Sequence, residues 1–117
     1  MPKKYMLLLH DDPSTFATLS PADIQKVIEK YVAWGTRLRE AGVITESAKL
    51  TDEPGRVMRG RGPSMRVTDG PYSETKEVLG GYYTILADSY EHAAERAKDC
   101  PHLEYGGTIE IREVDVI

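Results

Sequence analysis

The stretch 4-KYMLLLHDDPSTFATLSPADIQKVIEKYVAWGTRLREAGVITESAKL-50 holds three elements in a row. Residues 4–10 carry apolar side chains for both faces, Tyr5, Leu7 and Leu9 against Met6 and Leu8, which predicts a strand in the middle of its sheet. HDDP then breaks the strand. Ser20, Pro21 and Asp23 supply an N-cap, a proline at the first helical position and an acid at capping-box-like spacing. Ile24, Val27, Ile28, Tyr31, Trp34 and Leu38 recur at three- and four-residue steps, so the spacing predicts a long helix with one apolar stripe. Gly42 suits the position that closes such a helix. Gly35, inside it, costs about 1 kcal/mol against Ala and predicts a close packing contact. Residues 43–50 read as a second strand.

Further along, TDEPG turns the chain, and 56-RVMRG-60 with 64-SMRVTD-69 reads as a short hairpin around RGRGP. The run 81-GYYTILAD-88 is a strand by its aromatic and β-branched content. Ser89 caps a shorter helix over 90-YEHAAERAKDC-100, with Tyr90, Ala93, Ala94 and Ala97 inward and Pro101 as its expected end. The last run, 107-GTIEIREVDVI-117, alternates: Ile109 and Ile111 point one way, Thr108, Glu110, Arg112 and Val114 the other. The order predicts a split βαβ, ferredoxin-like α+β sandwich with a central hairpin insertion, as a single domain over residues 1–117. Two helices cover one sheet face. The other face is apolar but partly charged, which predicts pairing with a second copy, a homodimer through the open sheet face.

The net charge of −4, from 15 basic and 19 acidic residues, argues against a general nucleic-acid or anionic-membrane surface. No apolar run approaches the ~20 residues that span a bilayer. A lone cysteine, Cys100, allows no internal disulfide and fits a reducing compartment, so a cytoplasmic location is expected. Arg56, Arg59, Arg61 and Arg66 crowd the hairpin, either as its solvated side or as a rim that docks an anion or a partner.

Candidate chemistry centres on 67-VTDGPYSETKEVLGGYY-83. Asp69, Gly70 and Pro71 make a turn on their own chemistry, since Asp bonds the neighbouring backbone and Gly tolerates positive φ. Asp69 at a strand end could instead act as a general base or anchor a ligand donor, with Lys76 facing a ligand anion. His10 ends the central strand, and a His10–Asp69 dyad needs their strand ends to be neighbours. Tyr31 and Trp34, with Tyr82, Tyr83 and Tyr105, form either core or the wall of a semi-polar pocket; Tyr31 and Tyr82 are the candidate ligand contacts. His92 reads as solvated and His102 as a loop residue. Cys100, at a helix C-terminus, is a poor nucleophile. No metal-ligand spacing, P-loop or dinucleotide fingerprint occurs, so no metal and no cofactor are expected.

The same run, DGPY followed by ETKE and LGGY, resembles the signature of DGPF-domain proteins within the YCII-related superfamily, with Tyr72 in place of the usual Phe. KYMLLL, LSPADI, LREAGV and CPHLEYGGTIEIREV extend the likeness over nearly the whole chain. The resemblance implies a bacterial protein of uncharacterised function, folded as a ferredoxin-like unit that dimerises through its sheets into an α+β barrel. It also implies a regulatory connection, since such proteins are often encoded near extracytoplasmic-function sigma factors. In the wider superfamily a His on the first helix and an Asp are the proposed active-site pair; here Tyr31 stands roughly in that place, and Asp69 matches the DGPF aspartate. Two functions follow as expectations: a homodimer that binds a small molecule, or an enzyme using Asp69 with His10 or Tyr31 for general acid–base work.

Overall fold

The computed structural model describes residues 2–70 and 77–116 of the 117-residue chain. Strand β1 (Lys3–Asp11) leads through a short 3-10 turn (Pro13–Phe16) into helix α1 (Pro21–Glu40). Strand β2 (Ile44–Lys49) follows, then the two short strands β3 (Arg56–Arg59) and β4 (Arg66–Asp69). Strand β5 (Val78–Ala87), helices α2 (Tyr90–Ala97) and α3 (Pro101–Glu104), and strand β6 (Thr108–Glu113) complete the chain. Four strands form one antiparallel sheet in the order β2-β5-β1-β6, an arrangement compatible with a ferredoxin-like α+β fold. Among the described residues the strands β3 and β4 pair only with each other, as a separate ribbon.

The predicted caps are present. Ser20 Oγ accepts from the Asp23 amide, Pro21 opens the helix, and Gly42 takes the left-handed conformation (φ 74°) just beyond it. Gly35 is the predicted tight spot: a methyl there would come within 3.1 Å of the Arg39 guanidinium, which folds back to donate to Ser47 on β2.

The core lies between the sheet and the helices. Tyr5, Leu7 and Leu9 of β1 face it, with Ile85 and Ala87 of β5, Trp34 and Leu38 of α1, and Ala93 and Ala97 of α2. Trp34 packs edge-on against Tyr83 at 5.1 Å, and its indole N–H donates to Asp99. Only the C-terminal half of the predicted α1 stripe is buried. Ile24 and Ile28 are exposed.

Two boundaries differ from the sequence reading. Strand β5 starts at Val78 because Gly80 lies inside it as a bulge, the extra residue between the pairs Leu9↔Gly81 and His10↔Leu79. Gly81 is held tight as well, since a Cβ there would meet the Ala48 carbonyl of β2 at 2.8 Å. The second boundary is Pro101. It opens the four-residue helix α3 rather than closing α2, which ends at Ala97.

Candidate functional site

Along β1 the side chains alternate, so His10 follows Met6 and Leu8 onto the open face, opposite the one on which α1 and α2 pack. Its Nε2 lies 3.0 Å from Glu110 Oε1 on β6, and Arg112 Nη1 stands 3.6 Å from the other oxygen of that carboxylate. Thr108, opposite His10 in the register, donates to Glu77, which immediately precedes β5.

On the helix side of the same strand end, His102 of α3 is 4% exposed and fully bonded. Its Nε2 sits 2.8 Å from the backbone carbonyl of His10, which can only accept, so Nε2 carries the proton. Nδ1 is then an acceptor, and the Tyr31 hydroxyl donates to it at 3.0 Å. Burial, first of all, pushes the Tyr31 hydroxyl well above the ordinary phenol range, with Cys100 and Asp11 adding to the shift. It therefore stays a donor across the physiological range. Gly107 makes this packing possible: a Cβ there would fall 2.3 Å from His102 Nε2. Gly80 plays the matching part beside Asp11, whose Oδ1 lies 3.3 Å from where a Cβ would stand.

The end of β1 thus carries a polar pair on each face, His10–Glu110 outside and Tyr31–His102 inside, joined through the His10 backbone. Such an arrangement can present an imidazole oriented by a carboxylate, and it holds a tyrosine hydroxyl in fixed geometry.

The sequence candidates fall in several places. His10 and Tyr31 belong to this cluster. Tyr82 shares the open face with His10, farther along β5, and its hydroxyl donates to Glu46 at 3.4 Å. Asp69 ends the ribbon strand β4 opposite Arg56, 3.5 Å from its Nε, with a side chain 87% exposed. His10 and Asp69 accordingly take separate acid and base partners, Glu110 for the one and Arg56 for the other. Gly70, next to Asp69, is required by the backbone: a Cβ would come 2.2 Å from the Pro54 carbonyl, and its own amide donates to Gly55. Lys76 lies outside the described residues, as do Tyr72 and Ser73.

Two residues of the cluster escaped the sequence reading. His102, expected in a loop, is the buried hub; the glycine pair 106–107 that follows it was the available signal. Glu110 was legible as an outward-facing residue, but its pairing with His10 needs the sheet order. His92, expected to be solvated, has partners: its Nδ1 lies 3.0 Å from the Asp88 amide nitrogen and its Nε2 2.9 Å from Arg96 Nε. Cys100 is not at a helix C-terminus but just before α3, where it is buried and burial pushes its thiol up to about 11. Asp99, by contrast, is held below the usual carboxylate range by hydrogen bonds from Arg37 and Trp34. Two shallow grooves beside Asp99, between α1 and the α2–α3 region, are lined by neither His10 nor His102.

Comparison with known proteins gives a consistent picture. The sequence matches the YCII-related domain over residues 3–116. An uncharacterised protein of Rhizobium meliloti (strain 1021) is 30% identical over 111 residues, covering 92% of this chain and 89% of that protein.

Proposed function

The chain belongs to the YCII-related domain family, and from that premise we propose that it is a homodimeric small-ligand-binding protein whose site lies at the His10 end of its sheet. Dimerisation is proposed through the open face. Met6, Leu8, Tyr82 and Leu86 share that face, helices α1 and α2 pack on the other, and the molecule is only 20 Å across its thinnest axis. A second sheet is the economical cover for such a surface. The membrane plays no part in this reading: among the described residues no helix is long and apolar enough to cross one. A bacterial, cytoplasmic setting is part of the proposal, and the family's frequent placement beside extracytoplasmic-function sigma factors makes regulation the context. A two-hybrid assay with the sigma factor encoded nearest the gene tests that context, and no interaction there would remove it.

The observation that carries the ligand site is the pair of linked contacts across one strand end, Tyr31–His102 within and His10–Glu110 without. Polar groups this closely fixed, beside exposed apolar residues of α1, suit a small organic molecule with both an apolar part and an oxygen acceptor. Asp69 and Tyr82 are proposed as further ligand contacts, and Lys76 as the anchor for an anionic group. A thermal-shift screen against a small-metabolite library, run on the wild type, His10→Ala and Asp69→Asn, decides the matter. A compound that stabilises the wild type and loses its effect in His10→Ala supports the site. Equal shifts in all three proteins place the ligand elsewhere.

A second reading is favoured by one contact. His10 oriented by Glu110 is the geometry of a general base with its carboxylate, so the protein could turn over the compound it binds. In that case Glu110→Gln keeps binding and loses turnover. Loss of turnover in Asp69→Asn alone would instead assign the base to Asp69.

A further inference from the structure

The β3–β4 ribbon stands apart from the body. Among the described residues its strands pair only with each other, and the chain reaches 48 × 44 × 20 Å with a radius of gyration of 16.3 Å, against roughly 13–14 Å for a compact chain of this length. A lone two-stranded hairpin is marginally stable in water. This one nevertheless displays a cross-strand apolar pair, Met58 opposite Val67, 67% and 54% exposed, with Met65 exposed nearby. Arg56–Asp69 lies on the same side of the ribbon, while Arg59 and Arg66 face each other on the opposite side. A surface of this kind is designed for contact rather than for water.

The charge distribution says what kind of surface it meets. Residues 56–69 hold four arginines and one aspartate, a surplus of three positive charges. With a net charge of −4 for the whole chain, the rest of the molecule carries −7. Each ribbon therefore finds an oppositely charged body in another copy of its own chain. Position agrees with charge. The Leu50 amide, at the end of β2, donates to the Gly80 carbonyl, so the ribbon is rooted at the His10 end of the sheet.

We propose that the ribbon is a dimer arm: each copy lays residues 56–69 against the body of the second copy, burying Met58, Met65 and Val67 there and meeting its acidic surface with arginines. The proposal rests on the dimer reading above and adds the contact that clamps it. Twofold symmetry counts each arm contact twice, so a modest contact gains leverage.

Sedimentation equilibrium on the full chain comes first, beside two variants: one with residues 57–68 replaced by an Asn-Gly turn, and the double substitution Arg61→Glu/Arg66→Glu. The shortened ribbon is expected to raise the dimer dissociation constant at least tenfold. The charge reversal is expected to raise it less, with the difference shrinking as salt is added. In parallel, a photo-crosslinker at Met58 is activated in a mixture of 14N- and 15N-labelled protein; crosslinked peptides of mixed label are expected. A wild-type dimer whose affinity is unchanged by the shortened ribbon overturns the arm and leaves the sheet-face dimer standing. Crosslinks confined to one label, or to co-purified nucleic acid, overturn it too. A monomeric wild type overturns both, and Leu8→Glu, placed in the sheet face, reports on the dimer alone.

Discussion

The body and the ribbon draw on the same kinds of residue and treat them in opposite ways. Leu7, at the centre of β1, lies between Tyr83 on β5 and Ile111 on β6, under the helices, and is wholly buried. Met58 also has a cross-strand apolar neighbour in Val67, yet two-thirds of it is exposed. The difference is the layer above. Alternation decides which side a residue takes, but only a second layer turns that side into a core. The body has its layer in α1 and α2, and among the described residues no second layer lies over the ribbon.

Substitutions sharpen this contrast, beginning with the body. Leu7→Ala removes a wholly buried side chain and is expected to cost about 3 kcal/mol in urea denaturation. A loss below about 1 kcal/mol would show that the body is packed no better than the ribbon. Gly107→Ala forces the His102 ring aside and is expected to cost about 2 kcal/mol, with loss of the distinct NMR signal of the His102 Nε2 proton. Retention of that signal would break the account of Gly107. Tyr31→Phe strips the donor from His102 Nδ1 and is expected to cost about 1–2 kcal/mol without changing the fold by circular dichroism.

The pH dependence separates the two regions as well. Tyr5, Tyr31 and Tyr83 have folded pKa values raised by burial, and Cys100 is raised to about 11, so the native state holds these protons more tightly than the unfolded chain. Their contribution is complete below the unfolded values, near 9.0 for the thiol and 10.0 for the phenols, and is lost as pH rises through the folded ones. Stability is therefore expected to fall above about pH 9, and less so in Tyr31→Phe. A flat stability profile from pH 8 to 11 would contradict the burial of all four. At the small end of the scale, Val67→Ala in the ribbon is expected to change unfolding of the monomer by less than about 0.5 kcal/mol.

The body was largely legible in the sequence because its signals are local. Ser20 and Pro21 mark the start of α1, Gly42 its end, and β1 shows in its two apolar faces. The site was less so. His102 gains its partners from α1 and from the end of β1, 71 and 92 residues away, and in the run PHLEYGG only the closing glycine pair hints at a packed ring, not at those partners. Asp69 stood out through its motif, yet Gly70 beside it answers to the Pro54 carbonyl, a contact that only the closed base of the ribbon creates. The start of β5 was misplaced because two adjacent glycines look like a turn and are here part of a strand.

That glycine pair has a consequence of its own. Counted by twos from Ile85 through Tyr83 and Gly81, Leu79 belongs on the helix side, but the extra residue at Gly80 pairs it with His10 and sends it to the open face. Strand β5 therefore carries something like a shifted reading frame, with one parity on either side of Gly80. Deleting that one glycine would leave every residue downstream with its old meaning and reverse the meaning of those before it, exchanging the sides taken by Val78 and Leu79 beside Asp11 and His10.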